Sequence, residues 1–429
     1  MPIELISILL FGSVIVLMLI GVPIGVATGI VATVFLFDPD NLQLLVLMSG
    51  RIFSFINTYV LVSLPFFIFM ATLMEKSGIA DDLFNGMSLL GGAMPGGLAV
   101  MTMIVAVILA SMTGVIGGEI MLLGMLALPQ LLRHGYDENL AIGTIGAGGS
   151  LGTMIPPSIN LIFFGLIANV AVGDLFKAAV VPGLLLGSLY ILYIMGRCTI
   201  NPKLGPPTGR ERPSRGEVLS ILFRLVPPLL VGGGVLGSIY LGIAAVTEAA
   251  ALGAAAMIVV TALRGRLNFE TLRKASMQTI ETSGIVLWLV FGAISLIGVY
   301  NFLGGTTFIE KLYLDSDLSR AVLMGSILVI WCLLGLFMDG TSIALLTVPV
   351  FAPIASGLGY DLIWFGVMFA IACQIGYMTP PLGTAAFYMK TVTPPHIKLE
   401  KIFRSYLPFV CIQVLVLCVL WALPWLAMY

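Results

Sequence analysis

Charge is what this sequence has least of: 10% of its 429 residues are Asp, Glu, Lys or Arg, against roughly 25% in a soluble domain. With 59% hydrophobic residues beside that scarcity, no water-facing surface can be built for a chain of this length. A soluble enzyme, a nucleic-acid binder and a disordered scaffold are excluded together. The alternating segments of about ten residues that mark an outer-membrane barrel are also missing. Apolar runs of about twenty residues or more follow one another instead, which reads as an all-α polytopic membrane protein. The five cysteines, Cys198, Cys332, Cys373, Cys411 and Cys418, form no CxxC pair and have no histidine at ligand spacing, so they read as small hydrophobes rather than metal ligands or disulfides. His134 and His396 sit beside other charges and read as solvated. No Lys or Arg precedes Arg51, so the first apolar stretch lacks the basic flank of a secretory signal and is expected to remain in the mature chain.

What is present is a repeat. Gly152-Thr153-Met154-Ile155-Pro156-Pro157 returns as Gly376-Tyr377-Met378-Thr379-Pro380-Pro381, and Gly135-Tyr136-Asp137 returns as Gly359-Tyr360-Asp361, both at a shift of 224. Glu119 and Pro129 fall on Asp339 and Pro349 at a shift of 220, and Gly21-Val22-Pro23 lies opposite Ala245-Val246-Thr247. The markers keep their order, which predicts one ancestral unit used twice. The run from about Leu5 to Phe37 would be about 50 Å as one helix, against a hydrocarbon core of about 30 Å, and is expected to break near Gly21-Val22-Pro23. Its counterpart, about Leu225 to Leu263, is expected to break near Thr247-Glu248. Half-polar stretches near 41–57 and 267–281 read as arms along the interface.

Each half then continues with a span, a hairpin, a Pro-Pro interrupted helix and a closing span. The first repeat covers 1–224, with scaffold helices in 1–85, hairpin and broken helix in 86–170, and closing span and basic loop in 171–224. The second covers 225–429, with scaffold helices in 225–303, hairpin and broken helix in 318–390, and closing span in 405–429. Cytoplasmic loops are rich in Lys and Arg. Placing the basic loop 197–224 inside leaves only Arg51, Lys177, Lys311 and Arg320 outside. That threading puts both termini outside and makes the repeats inverted, the architecture of secondary transporters with sites at the midplane. The hairpins, with tips at 111–119 and 335–342, are expected to be re-entrant and to enter from opposite faces.

Non-helical backbone deep in a bilayer survives only where protein or a water-filled cavity surrounds it. Pro156-Pro157 and Pro380-Pro381 force such breaks, because proline removes an N–H and clashes with the preceding turn. Each break frees carbonyls, which suit a small hard cation, and N–H groups, which suit a carboxylate. A first cation site is predicted from Ser111 and Thr113 with Ser150, Gly152 and Thr153. A second is predicted from Asp339 and Thr341 with Gly376, Met378 and Thr379. Ser158 and Asn160 after the first break, and Gly383 and Thr384 after the second, are the candidates for binding an anionic substrate, since no Arg lies deep in a span. Asp339 and Glu119 read either as coupling acids or as helix-start residues. Glu248, following Thr247, reads as a cap, and Asn160 reads equally as glue between helices.

The motifs Gly135-Tyr136-Asp137, Gly152 to Ser158, Gly359-Tyr360-Asp361, Phe365-Gly366-Val367 and Gly376 to Gly383, with Thr247-Glu248-Ala249-Ala250-Ala251, resemble the large membrane subunit of the TRAP transporters over nearly the whole chain. The resemblance implies a bacterial inner-membrane importer that works with a small four-span membrane subunit and an extracytoplasmic binding protein. It further implies sodium ions as coupling ions, no other cofactor, and an elevator movement carrying organic anions, chiefly C4-dicarboxylates and sialic acids. Many members have Gly-Ser and an Asp near the first tip, where this chain has Gly117-Gly118-Glu119, which leaves the role of Glu119 open. No four-span segment precedes residue 1, so the small subunit is expected as a separate chain. The alternative is a stand-alone sodium and dicarboxylate symporter of related architecture. An ion channel fits an inverted repeat less well, and an intramembrane enzyme lacks a nucleophile with a nearby base.

Overall fold

The computed structural model describes residues 2–36, 42–92, 94–114, 116–207 and 214–428. Part of the basic loop, including Arg212, and Val115 at the first hairpin tip lie outside the described residues. The described residues form nineteen α-helices and no strand. Six helical stretches are long and apolar enough to cross a membrane, and several shorter apolar helices accompany them. The protein is a multi-pass membrane protein.

The first half opens with α1 (Ile3–Leu19) and α2 (Ile24–Leu36), parted at Gly21, whose φ of +92° only glycine adopts readily. The arm α3 (Leu42–Ile56) and the pair α4 (Ser63–Lys76) and α5 (Ile79–Leu90) follow. The first hairpin is α6 (Gly97–Thr113) and α7 (Ile116–Arg133). The interrupted helix is α8 (Glu138–Ser150) and α9 (Ile159–Ala168), and α10 (Val172–Ile200) closes the half. In the second half, α11 (Arg215–Tyr240) and α12 (Val246–Leu263) part just before Thr247-Glu248. The Glu248 carboxylate accepts from the Ala245 N–H at 2.9 Å, so this acid caps α12. Next come α13 (Phe269–Phe302) and α14 (Gly305–Leu314), the hairpin α15 (Arg320–Leu334) and α16 (Gly340–Gly357), the interrupted α17 (Leu362–Met378) and α18 (Thr384–Val392), and α19 (Leu399–Ala422).

Two expectations change in detail. The arm expected over 267–281 is not separate: α13 runs unbroken for 34 residues, because no proline interrupts it and Asn268 caps its start by accepting from the Thr271 N–H. The first hairpin tip is shorter than 111–119. Gly114 takes a φ of +67° and ends α6, α7 begins at Ile116, and Ser111, Thr113 and Gly117 to Glu119 are helical.

The recurring Gly-Tyr-Asp motif has one local cause in both halves. Gly135 and Gly359 take φ of +75° and +82° and close α7 and α16, as left-handed glycines do at helix ends. Asp137 and Asp361 then cap α8 and α17, accepting from the N–H groups of Leu140 and of Ile363 and Trp364. Packing depends on small residues, as it does between membrane helices. A Cβ on Gly292 of α13 would lie 2.2 Å from the Gly25 carbonyl of α2, and one on Gly146 of α8 would lie 2.1 Å from the Tyr406 ring of α19. Between hairpin and interrupted helix of the second half, Trp331 packs on Phe365 and Phe369 at 4.7 and 4.9 Å between centroids. Its indole N–H donates to Thr347 Oγ1 at 2.8 Å.

Candidate functional site: two hairpin tips on two interrupted helices

The first interruption is wholly buried. After Ser150 the chain makes a 3-10 turn, Leu151–Thr153, then passes through Pro156 and Pro157 to Ile159 without exposing a residue. Its hydroxyls supply the hydrogen bonds that the missing helix would have made. Ser150 Oγ donates to the Ala147 carbonyl at 2.7 Å, Thr153 Oγ1 to the Ser150 carbonyl at 2.9 Å, and Ser158 Oγ to the Thr153 carbonyl at 2.6 Å. A hydroxyl that spends its proton this way keeps lone pairs to accept elsewhere. The first hairpin tip sits directly on this segment: a Cβ on Gly114 would lie 2.3 Å from the Pro157 carbonyl oxygen. Ser111 Oγ donates to the Ile108 carbonyl within α6 at 2.7 Å, whereas Thr113 Oγ1 is buried with no partner. Glu119, in the first turn of α7, lies against the Gly152 backbone with both carboxylate oxygens buried and neither in a hydrogen bond of good geometry.

The second interruption is half open. Thr379 to Gly383 separate α17 from α18, with Pro380, Pro381 and Leu382 exposed. Thr379 Oγ1 donates to the Ile375 carbonyl at 2.7 Å, and the Gly383 N–H donates to the Thr379 carbonyl at 3.1 Å. Thr384, half-buried, opens α18. The second tip approaches through glycines: a Cβ on Gly376 would lie 2.5 Å from the Cys332 carbonyl and 2.6 Å from Gly335 Cα. Asp339 is exposed and caps α16, accepting from the N–H groups of Thr341 and Ser342 at 3.1 and 3.3 Å and from the Ser342 hydroxyl. Met378 is buried, with Gln413 Nε2 of α19 at 3.2 Å from its sulfur.

Side chains join the two halves. Asn160 of α9 accepts from Thr341 Oγ1 at 3.5 Å and donates to the Tyr377 hydroxyl at 3.4 Å, so its side chain reaches from the first break to the second tip. Gln374 Nε2 donates to Ser150 Oγ at 2.8 Å across 224 positions in sequence, which is the repeat shift itself. Residues at the offset of the recurring sequence motifs therefore touch. Tyr190 and Gln413 are buried beside this pair. Sequence reasoning missed Gln374, Tyr377, Tyr190 and Gln413. The signal for the first was available, because Gln374 is a lone polar residue in an apolar helix at 224 from a predicted ligand. The first tip meets the first break through Gly114 on Pro157 and Glu119 on Gly152, while the Ser111 hydroxyl lies against α11, where a Cβ on Gly232 would come within 3.2 Å of it; the second tip meets the second break through Gly335 on Gly376. Among the described residues no hydrogen bond links Ser158 to Gly383 or Thr384. No cluster of three or more His, Cys, Asp and Glu side chains occurs among the described residues, and the cysteines are free thiols.

Comparison with known proteins agrees with this architecture. The chain is 27% identical over 442 residues to the C4-dicarboxylate TRAP transporter large permease protein DctM of Vibrio cholerae, covering 98% of this chain and 96% of that one. It is 28% identical over 407 residues to the sialic acid TRAP transporter permease protein SiaT of Haemophilus influenzae, covering 92% of this chain and 63% of that one. The isethionate TRAP transporter permease protein DctMQ of Oleidesulfovibrio alaskensis is 26% identical over 422 residues, and the chain spans 65% of its length. The crystal structure of the Alcanivorax borkumensis YdaH transporter shares the fold at a TM-score of 0.64 and 16% identity, covering 92% of this chain and 91% of that one. The family described as the tripartite ATP-independent periplasmic transporter, DctM component, matches residues 11–426, and the chain belongs to that family of membrane transport proteins.

Proposed function

We propose that this protein is the large membrane subunit of a sodium-coupled, binding-protein-dependent secondary transporter that imports a small organic anion. It sits in a bacterial inner membrane with both termini outside and the loop 197–224 inside. Its halves, 1–224 and 225–429, are inverted repeats, and both hairpins are re-entrant. The observation that carries this reading is the seating of each hairpin tip on an interrupted helix, with Gly114 on Pro157 and Gly335 on Gly376. Such a pair of tips and breaks is where non-helical backbone can hold an ion and its substrate. The hairpins and interrupted helices then move as one elevator unit past a scaffold formed by the helices of 1–85 and 225–303.

The first sodium is held by Ser111, Thr113, Ser150, Gly152 and Thr153, the second by Asp339, Thr341, Gly376, Met378 and Thr379. The half-helix starts at Ser158 and Asn160 and at Gly383 and Thr384 receive the anion. Asn160 has a second support for that role, because it already bridges the first break to the second tip. Relatives named for C4-dicarboxylate, sialic acid, 2,3-diketo-L-gulonate and isethionate transport point to a small organic anion as the substrate class. The partners are a small four-span membrane subunit and an extracytoplasmic binding protein; the fused relative named DctMQ, of which this chain spans 65%, supports the first.

The test is uptake of radiolabelled sialic acid and succinate into proteoliposomes holding this chain and its small subunit, with and without an inward sodium gradient and the binding protein. Uptake that requires both is the expected result. Sodium-driven uptake without the binding protein would replace this reading with a stand-alone symporter.

A further inference from the structure

Glu119 is the only buried charged side chain among the described residues, at 1% exposure. A carboxylate taken out of water costs several kcal/mol unless a partner compensates it. The positive end of α7 offers part of that compensation and the Gly152 backbone lies close enough to act on the carboxylate, yet neither oxygen makes a hydrogen bond of good geometry. Among the described residues no Lys, Arg or His is bonded to it, and from α18 the Tyr388 ring lies over Gly117 at the start of α7. A second buried oxygen at the same tip, Thr113 Oγ1, is also unpartnered. Facing the carboxylate is Gly152 of the first break, where a Cβ would lie 2.3 Å from Oε1. Glycine there leaves the carboxylate room against the freed backbone. Buried acceptor oxygens without donors, set against a break rich in carbonyls and hydroxyl lone pairs, suit a small hard cation.

We infer that Glu119 supplies the negative charge of the first cation site, as a ligand beside Thr113. This rests on the sodium-coupled reading above and deepens it. The bare carboxylate is costly to carry through low dielectric, whereas a carboxylate paired with a monovalent cation is neutral. Movement of the unit is thereby tied to occupancy of the first site. Asp339 differs, since it is exposed and its oxygens already serve the start of α16.

The experiment uses the chain with its small subunit, purified, and follows the thermal unfolding midpoint as sodium chloride replaces choline chloride at constant ionic strength. A cation that binds the folded state raises the midpoint with concentration. In Glu119→Gln the sodium response is expected to need roughly tenfold more sodium or more, the loss typical of a charged contact. Its midpoint in choline should match or exceed that of the parent, because the amide removes an unpaired buried charge. Glu119→Asp, which keeps the charge, should keep the sodium response. A Glu119→Gln curve that overlays the parent, or one lowered equally in choline and sodium, would overturn the inference and leave sodium coupling standing. A parent with no sodium response at all would remove the sodium-coupled reading and this inference with it.

Discussion

The two interrupted helices are written with nearly the same residues but end in different surroundings. From Ser150 to Asn160 the first break is buried throughout, and its acid, Glu119, lies unpaired beneath it. At the second break the prolines and the acid Asp339 are exposed. The acids also differ in local role despite aligning in the repeat. Asp339 stands at the cap of α16, where the loop between the hairpin helices runs from Gly335 to Asp339; Glu119 lies in the first turn of α7, which begins at Ile116. The recurring Pro-Pro motif therefore sets the break itself, which prolines impose locally, while the depth of each break and the employment of its acid follow from what packs over it.

The largest effect that would break this comparison lies at the tips. Gly114→Ala forces a residue with a Cβ into a φ of +67° and into the Pro157 carbonyl, costing about 2–4 kcal/mol from backbone strain and overpacking together. Gly335→Ala meets backbone at 2.9 Å but at a helical φ of −60°, so only overpacking applies. Thermal unfolding of the two variants should rank them in that order, and equal midpoints would refute the asymmetry.

At the second tip, Asp339→Ala removes both the cap and the charge and is expected to destabilise by about 1 kcal/mol while raising the sodium needed for half-maximal uptake. Asp339→Asn keeps a capping side chain, so stability should recover while the sodium requirement stays high. If both recover, Asp339 is a cap alone.

Between the halves, Ser150→Ala strands the buried Gln374 amide, at a cost of about 1–3 kcal/mol. Gln374→Met, which leaves no stranded donor, should cost less, and a double-mutant cycle would show coupling between the two positions. Within the first tip, Ser111→Ala should weaken sodium dependence less than Thr113→Ala, because Ser111 already donates within α6 and Thr113 has no partner. Sodium titrations of uptake that reverse this order would move the site away from Thr113.

The smallest effect falls where the interrupted helix meets the loop. Hydrogen bonds from Lys401 and then His396 hold the Glu138 carboxyl below its usual range. A carboxyl depressed in the folded state adds stability that is present above its unfolded pKa and lost as pH falls through the folded value. Glu138→Gln should therefore change the unfolding midpoint slightly at neutral pH and not in strong acid; an equal change at both would assign the effect to packing. The exposure of these groups keeps the shift small.

Much of this was legible in sequence. The helix breaks at Gly21, Pro156-Pro157 and Pro380-Pro381, the capping glutamate at 248 and the paired Gly-Tyr-Asp turns all follow from backbone rules that act within a few residues. The unbroken α13 was harder, because a half-polar stretch that leads into an apolar one carries no stop signal and its helical hydrogen bonds continue regardless of which solvent it meets. Asn160 illustrates the other limit. Its neighbours in sequence place it beside Ser158, but its partners, Thr341 and Tyr377, come from the other half.

The sequence by itself determined that the chain lives in a membrane, that its Gly-Tyr-Asp and Pro-Pro motifs recur and where its helices must stop, since hydropathy, proline and glycine act locally. Only the tertiary structure decided which break is buried, that Ser150 meets Gln374 and that Glu119 has no partner. Those depend on which helices pack together, and the packing rests on contacts between residues far apart in the chain.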